Sequence, residues 1–586
     1  MMSGAKRYKI KSYIIFLIII ISISILIIFN LSKNISVDYV VNQFSIDDKI
    51  LNVNVKISNV GFFKPSNYKL IKGSMQVSDE KCVDSLNNAI KFKTVNGVIN
   101  IDKISSKAKY ILYSYKVKIG DLGKHGANGE VYSNMLTFQG ESVLAMPINA
   151  LKDNMKSVNT LKEISVKCIV PEVWDSIIPY PKKNVKDTTE VLYPTWTSLY
   201  EIRKSSFTFG KFEKDEHLNG KVGYTVYLDR DAKKYYTEDA KKGIESLYKY
   251  YSSLFKYDLQ NFSIVLLRKD DMKKDYIISG ASTKNLVSTF DPEVARDWQL
   301  MGHRLFHSFF ESEVAATKYH EPPVLNFYEG LATYYENISM KSLPENIINR
   351  LSIFPDNEMS DLFQRYTYMK LKDPSNYSLS PMLELEMSTS PARIEFLHYT
   401  QAPLLVKYLE NLAAKKTGKE DNIINYIVKH KGDNSVTPDK IVNNLLGTDG
   451  SAFIKKYINS DEIVPLWDLS SKGEENKEII EKLNIFEYNM YTWFHQENTL
   501  YLYDVLEANK LSKLSQEADI EGLHFADVRT EANIKTMSPT VYNLLKSHVL
   551  QAKVCSVDKS DKNAREDLLI NKSNIDKWNN FKRNYK

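Results

Sequence analysis

The chain has 586 residues, 43% hydrophobic and 26% charged, enough for roughly three or four domains of about 150 residues with cores of their own, and neither collagen-like nor disordered. Its 78 basic and 72 acidic residues leave a net charge of +6, too thin an excess to form the concentrated basic face that nucleic acid requires. Three cysteines, Cys82, Cys168 and Cys555, make neither a disulfide framework nor a four-thiolate site, so any metal is held mainly by histidine and carboxylate.

Residues 12–32 carry no charge, and Tyr13 to Phe29 is almost entirely Ile, Leu and Phe. That length spans a bilayer as a helix. Lys6, Arg7, Lys9 and Lys11 precede it, which keeps the N-terminus in the cytoplasm and places the bulk of the chain outside. A cleaved signal peptide is the rival reading, but Asn30-Leu31-Ser32-Lys33-Asn34 offers no small-x-small cleavage site. Residues 36–205 read as a β domain. Val37 to Val41 and Leu51 to Ile57 alternate apolar with polar, Tyr110 to Val117 is aromatic and β-branched, and Glu163 to Val170 stops at Pro171.

From 206 to 345 the pattern changes to strand, helix, strand and more helix, an α+β or α/β arrangement. Val222–Leu228 and Phe262–Leu267 read as strands, with an amphipathic helix from Thr237 to about Phe255 between them. Residues 346–467 have helical spacing, as in Leu404, Leu405, Tyr408, Leu409 and Leu412. Residues 468–586 read as a helical tail with charge-rich stretches. The predicted architecture is multidomain α+β.

Asp291-Pro292-Glu293 has the chemistry of a helix start, and the helix runs on past His303 and His307. Four residues apart, these two imidazoles project from one face, the geometry two nitrogen ligands need to chelate one zinc ion. A second helix around Leu325–Glu336 carries Glu329 and Glu336, seven apart on nearly one face. Glu329 offers a third ligand. Glu336 offers an acceptor for the other N–H of a ligating histidine, which fixes its tautomer. The same residues also suit a hydrogen-bonded cluster without metal.

These stretches resemble the gluzincin metallopeptidases, above all the aminopeptidase N-like and glycyl aminopeptidase-like groups. Their H-E-x-x-H helix is matched by His303-Arg304-Leu305-Phe306-His307, and their E-G-x-x-x-Y-Y-like stretch by Glu329-Gly330-Leu331-Ala332-Thr333-Tyr334-Tyr335. The resemblance implies a β domain, a thermolysin-like catalytic-type domain at 206–345 and a helical domain at 346–467, with zinc on His303, His307 and Glu329. It also implies a site role for Tyr399, within Leu397 to Leu405, in stabilising a tetrahedral intermediate; packing alone in an aromatic-rich chain is the other reading. The resemblance covers roughly residues 36 to 467, with specific motifs only between about 280 and 410.

Two departures stand beside these matches. The family's proton-transferring Glu is replaced by Arg304, a guanidinium that cannot act as a base near neutral pH and that has either a ligand or a carboxylate such as Glu329 to pair with. The family's G-x-M-E-N segment is replaced by Ser279 to Asn285, so Thr283 or Lys284 stands where a Glu would grip the substrate amine. Glu311 and Asp297 share the Arg304 face but lie about 10 Å away along the axis, and both read as surface charges. Cys82 and Cys168 remain a possible pair. The sequence thus describes a membrane-anchored extracytoplasmic zinc-metallopeptidase-like protein, degenerate as an enzyme, that binds peptide or a protein partner. The alternatives are an active zinc peptidase with a rearranged base and an interaction protein with a vestigial cleft.

Overall fold

The computed structural model describes residues 35–458 apart from internal stretches, the longest being 148–160, 268–278, 314–324 and 363–396. The apolar segment 12–32, the tail 468–586 and Cys555 lie outside the described residues. Among the described residues no helix is long and apolar enough to cross a membrane. The chain divides into two compact units, residues 1–121 with 129–211, and residues 122–128 with 212–586.

The first unit is built on a seven-stranded sheet. Its members are β1 (Ile35–Ser45), β2 (Ile50–Ser58), β3 (Val77–Asp84), β4 (Tyr110–Lys118), β5 (Leu161–Ile169), β6 (Lys182–Val185) and β7 (Thr188–Tyr193), ordered β6-β7-β5-β1-β2-β4-β3. The period of two in β2 and β4 is a burial pattern: Leu51, Val53, Val55 and Ile57 face the core while Asn52, Asn54 and Lys56 face outward. Two four-stranded sheets complete this unit.

The cysteine pair is excluded by this order. Cys82 on β3 and Cys168 on β5 are both buried and free. Four strand spacings separate them, about 19 Å at 4.8 Å per spacing, against a Cα limit near 7 Å for a disulfide.

The second unit has a five-stranded sheet of β8 (Glu213–Asn219), β9 (Val222–Leu228), β10 (Phe262–Leu267), β11 (Ser279–Ala281) and β12 (Asn285–Thr289), ordered β8-β9-β10-β12-β11. β9, β10 and β12 are parallel, and β11 is an antiparallel edge strand. The crossover from β9 to β10 contains α1 (Glu238–Phe255), whose first turn is capped by Thr237 Oγ1 accepting from the Ala240 N–H. Ile244, Leu247, Tyr248, Tyr251 and Phe255 of α1 are buried, each contributing about 1.5–3 kcal/mol of apolar burial. Gly243 keeps α1 close to its neighbour, since a Cβ there would lie 2.4 Å from the Trp298 ring.

Trp298 belongs to α2 (Ala295–Glu313), followed by α3 (Leu325–Ser339), α4 (Glu345–Leu351), α5 (Ala402–Thr417), α6 (Asn422–Lys429) and α7 (Pro438–Leu446). One core joins sheet and helices, with Phe306, Phe309 and Phe310 of α2 against Tyr251, Phe255, Tyr328 and Tyr335. The helix start read at Asp291–Glu293 is displaced to Ala295. Asp291 to Val294 forms a turn closed by Val294 N–H to Asp291 O at 3.0 Å. Two carboxylates hold the turn: Asp297 accepts the Asp291 N–H at 2.7 Å, and Asp291 accepts the Glu293 N–H at 3.0 Å.

Candidate metal centre

The spacing of the two histidines works as helix geometry dictates. His303 Nε2 and His307 Nε2 face each other at 2.9 Å. Glu329 on α3 brings Oε2 to 3.4 Å from the first and 3.5 Å from the second. Their side chains are only 12–13% exposed. In a tetrahedral site with ligand bonds near 2.05 Å the ligand atoms stand about 3.3 Å apart, so these three atoms are spaced to share one ion. Two imidazoles and a carboxylate are also the donor set of zinc sites that keep a fourth position open.

Glu336, two turns beyond Glu329, meets the other side of the same ring. His303 Nδ1–H donates to its Oε2 at 2.9 Å, and Arg296 donates to its Oε1. The seven-residue spacing on α3 thus puts one carboxylate at each nitrogen of His303. Burial disfavours a charged His303 ring, but Glu329 and Glu336 outweigh it and hold the pKa up at about 9. His307, whose Nδ1 has no hydrogen-bond partner among the described residues, is instead pulled down to about 4 by burial. The imidazoles hold Glu329 well below the usual carboxylate range against its desolvation.

Among the described residues Glu329 Oε2 is buried without a hydrogen bond within normal distance. A buried carboxylate oxygen facing two imidazole nitrogens needs a positive charge beside it; without an ion a protonated His303 supplies it, and a metal ion among the three would take that place. The group fits a metal, and it is the one cluster of this kind among the described residues.

Arg304 is buried, with 6% of its surface exposed, and donates to Ser288 Oγ on β12. No ion pair joins it to Glu329 among the described residues. Glu311 and Asp297 are not the surface charges that their position suggested. Glu311 is buried and accepts from Tyr328 Oη at 2.5 Å. Asp297 carries a carboxyl whose pKa burial pushes up to about 6. Among the described residues of α2 only Arg296 is exposed. The Tyr399 ring lies 6.1 Å from that of His303, on the π-helical turn Leu397–Gln401 that leads into α5. Thr283 and Lys284 fall in the turn between β11 and β12, five and four residues before Ser288, at most about 13–17 Å along the chain at 3.3 Å per residue.

Three residues at the site had gone unmarked. Tyr328 stacks on His307 at 4.4 Å between ring centres and holds Glu311. Arg296 holds Glu336, and Ser288 holds Arg304. Only Tyr328, next to Glu329 in the chain, had a nearby signal.

No family model matches this sequence, and no curated protein does. Solved structures do match. An aminopeptidase N family protein from Idiomarina loihiensis is similar over 74% of this chain and 77% of its own, at 11% identity and a TM-score of 0.53. The M1 zinc metallopeptidase from Deinococcus radiodurans matches 74% of this chain and 94% of its own, at 12% identity and a TM-score of 0.44. Its variant bound to a Tyr-Ser-Ala substrate matches at 14% identity over 74% and 95%, with a TM-score of 0.43. The first likeness establishes the fold: a multidomain α+β arrangement of the aminopeptidase N type.

Proposed function

We propose that the protein is a membrane-anchored, extracytoplasmic member of the metallopeptidase-like proteins that holds zinc, binds peptide or a protein partner, and hydrolyses peptide slowly or not at all. The observation that carries this is the pairing of an intact ligand cluster with a cation in the base position. His303, His307 and Glu329 converge, while Arg304 occupies the position after the first histidine and is tied to Ser288.

His303, His307 and Glu329 would hold the zinc, with Glu336 keeping the His303 proton on Nδ1. Bound there, zinc supplies Lewis acidity toward a carbonyl or a water. Among the described residues no unengaged group completes the hydrolytic set. A guanidinium takes up no proton near neutral pH. The nearby carboxylates are engaged: Glu336 by His303 and Arg296, Glu311 by Tyr328, and Asp297 by the Asp291 amide. Tyr399, beside His303, remains suited to donate to a bound carbonyl.

The test is zinc content and turnover of a mixed peptide library by the full chain in detergent, with and without a chelator. Retained zinc with little turnover is the expected result. Strong hydrolysis abolished by the chelator identifies an active peptidase with a rearranged base. Absence of both zinc and peptide binding leaves an interaction protein with a vestigial cleft.

A further inference from the structure

We propose that the candidate metal centre receives a carboxylate, such as the free C-terminus of a peptide, on the guanidinium of Arg304. The proposal rests on the peptide-binding reading above and adds the polarity of the ligand.

Arg304 is more than nine-tenths buried, yet its hydrogen bond among the described residues goes to the neutral hydroxyl of Ser288. A guanidinium carries five N–H donors in a planar fork, so most of its donor capacity is not used by that bond. Among the described residues no carboxylate lies within ion-pair distance of it. The acids on its own helix are committed elsewhere: Asp297 accepts the Asp291 amide and Glu311 accepts the Tyr328 hydroxyl. Glu336, on the facing helix, is held between His303 and Arg296. Asp297 and Glu336 act on this charge only from beyond ion-pair distance, so part of the cost of burying it remains, and an incoming anion lowers that cost.

Its position suits such an anion. At about 100° per residue, Arg304 projects about 60° around the axis from His307 and about 100° from His303, beside the metal ligands rather than behind them. The fork geometry matches a carboxylate through two parallel bonds. An ammonium end is disfavoured at the same place, because a cationic Arg304 repels it.

The experiment titrates the full chain in detergent with three probes: N-acetyl-dialanine with a free carboxylate, its C-terminal amide, and dialanine amide with a free amine. Loss of one charge-assisted pair at a buried site costs on the order of ten- to a hundred-fold in affinity. The acid should therefore bind at least about ten-fold tighter than either amide. Arg304→Gln should remove the preference, and Arg304→Lys should keep its sign at reduced size. Equal binding of acid and amide by the unsubstituted protein overturns the proposal without any variant, as does a preference that survives Arg304→Gln. Repeating the titration after zinc removal separates the two readings. A preference that persists without zinc belongs to Arg304, whereas failure of zinc binding bears only on the reading beneath it.

Discussion

Gly330 passes Ala402 so closely that a Cβ on the glycine would lie 2.6 Å from the Ala402 Cβ and 2.9 Å from its carbonyl carbon. Gly330 follows the candidate ligand Glu329 on α3, and Ala402 begins α5 just after Tyr399. This contact therefore sets how near the Tyr399 turn comes to the ligand helix. Gly330→Ala gains up to about 1 kcal/mol of helix propensity, but it forces a methyl against backbone, an overpacking cost of about 1–3 kcal/mol. A net loss of stability is expected, read as a lower denaturant midpoint at unchanged slope. A raised midpoint would show that the two helices separate freely.

The metal centre makes a second prediction. The full chain should retain about one zinc, as a single three-ligand site implies. His307→Ala should lose it. Glu336→Gln should weaken it by about 10- to 100-fold, because the ring of His303 loses its orienting carboxylate. Equally little zinc in unsubstituted and His307→Ala protein would remove the ligand assignment.

What the sequence made legible here is whatever one helix or strand encodes by its own period. The four-residue step from His303 to His307 and the seven-residue step from Glu329 to Glu336 are such periods, as is the alternation of Leu51 to Ile57. Contacts chosen by a distant element left no local trace. Nothing near Arg304 in the chain marks Ser288 as its partner, and nothing near Glu311 marks Tyr328. The helix start lies later than Asp291 because both carboxylates hold a turn ahead of it, Asp291 accepting the Glu293 N–H and Asp297 accepting the Asp291 N–H. The separation of Cys82 from Cys168 likewise depends on the strand order of the sheet.

Glu410 on α5 offers a pH test away from the metal. Burial pushes its carboxyl up to about 7, although the N–H groups of Ile423 and Asn422, which it accepts at 2.7 and 2.8 Å, oppose the shift. Its unfolded value is 4.5, so the native state binds the proton more tightly. The stability this contributes is complete below pH 4.5 and is lost as pH rises through about 7. Glu410→Gln stays neutral throughout. Its stability relative to the unsubstituted protein should therefore improve between pH 5 and pH 8, roughly the window set by those values. A difference that does not change with pH would place the carboxyl at its ordinary value.

The charge asymmetry around residues 12–32 predicts topology. With Lys6, Arg7, Lys9 and Lys11 retained inside, protease added to cells stripped of any outer wall should digest the bulk of the chain. Full protection of residues beyond the apolar segment would reverse the orientation.

Arg304→Glu joins the ligand cluster to catalysis. Like charges a few ångströms apart in a partly desolvated cleft repel by several kcal/mol at an effective dielectric of about 20. Exchanging the guanidinium for a carboxylate therefore replaces a repulsion with an attraction, and zinc should bind tighter by at least about ten-fold. The Ser288 hydroxyl, which accepts from Arg304 and donates to the Thr289 carbonyl at 2.6 Å, would have to give up that second bond to donate to the new carboxylate. A positioned general base contributes about 10²- to 10⁴-fold, and the new carboxylate stands where one acts in the family the motif resembles. Some peptide hydrolysis should appear if Tyr399 and the rest of the cleft are in place. Endopeptidase activity should exceed aminopeptidase activity, because Thr283 and Lys284 supply no acid for a substrate amine. The measurement is zinc affinity together with turnover of a mixed peptide library by both proteins. Good cleavage by the unsubstituted protein, abolished by Arg304→Glu, would make the arginine part of a working mechanism and would sink the reading of a degenerate peptidase.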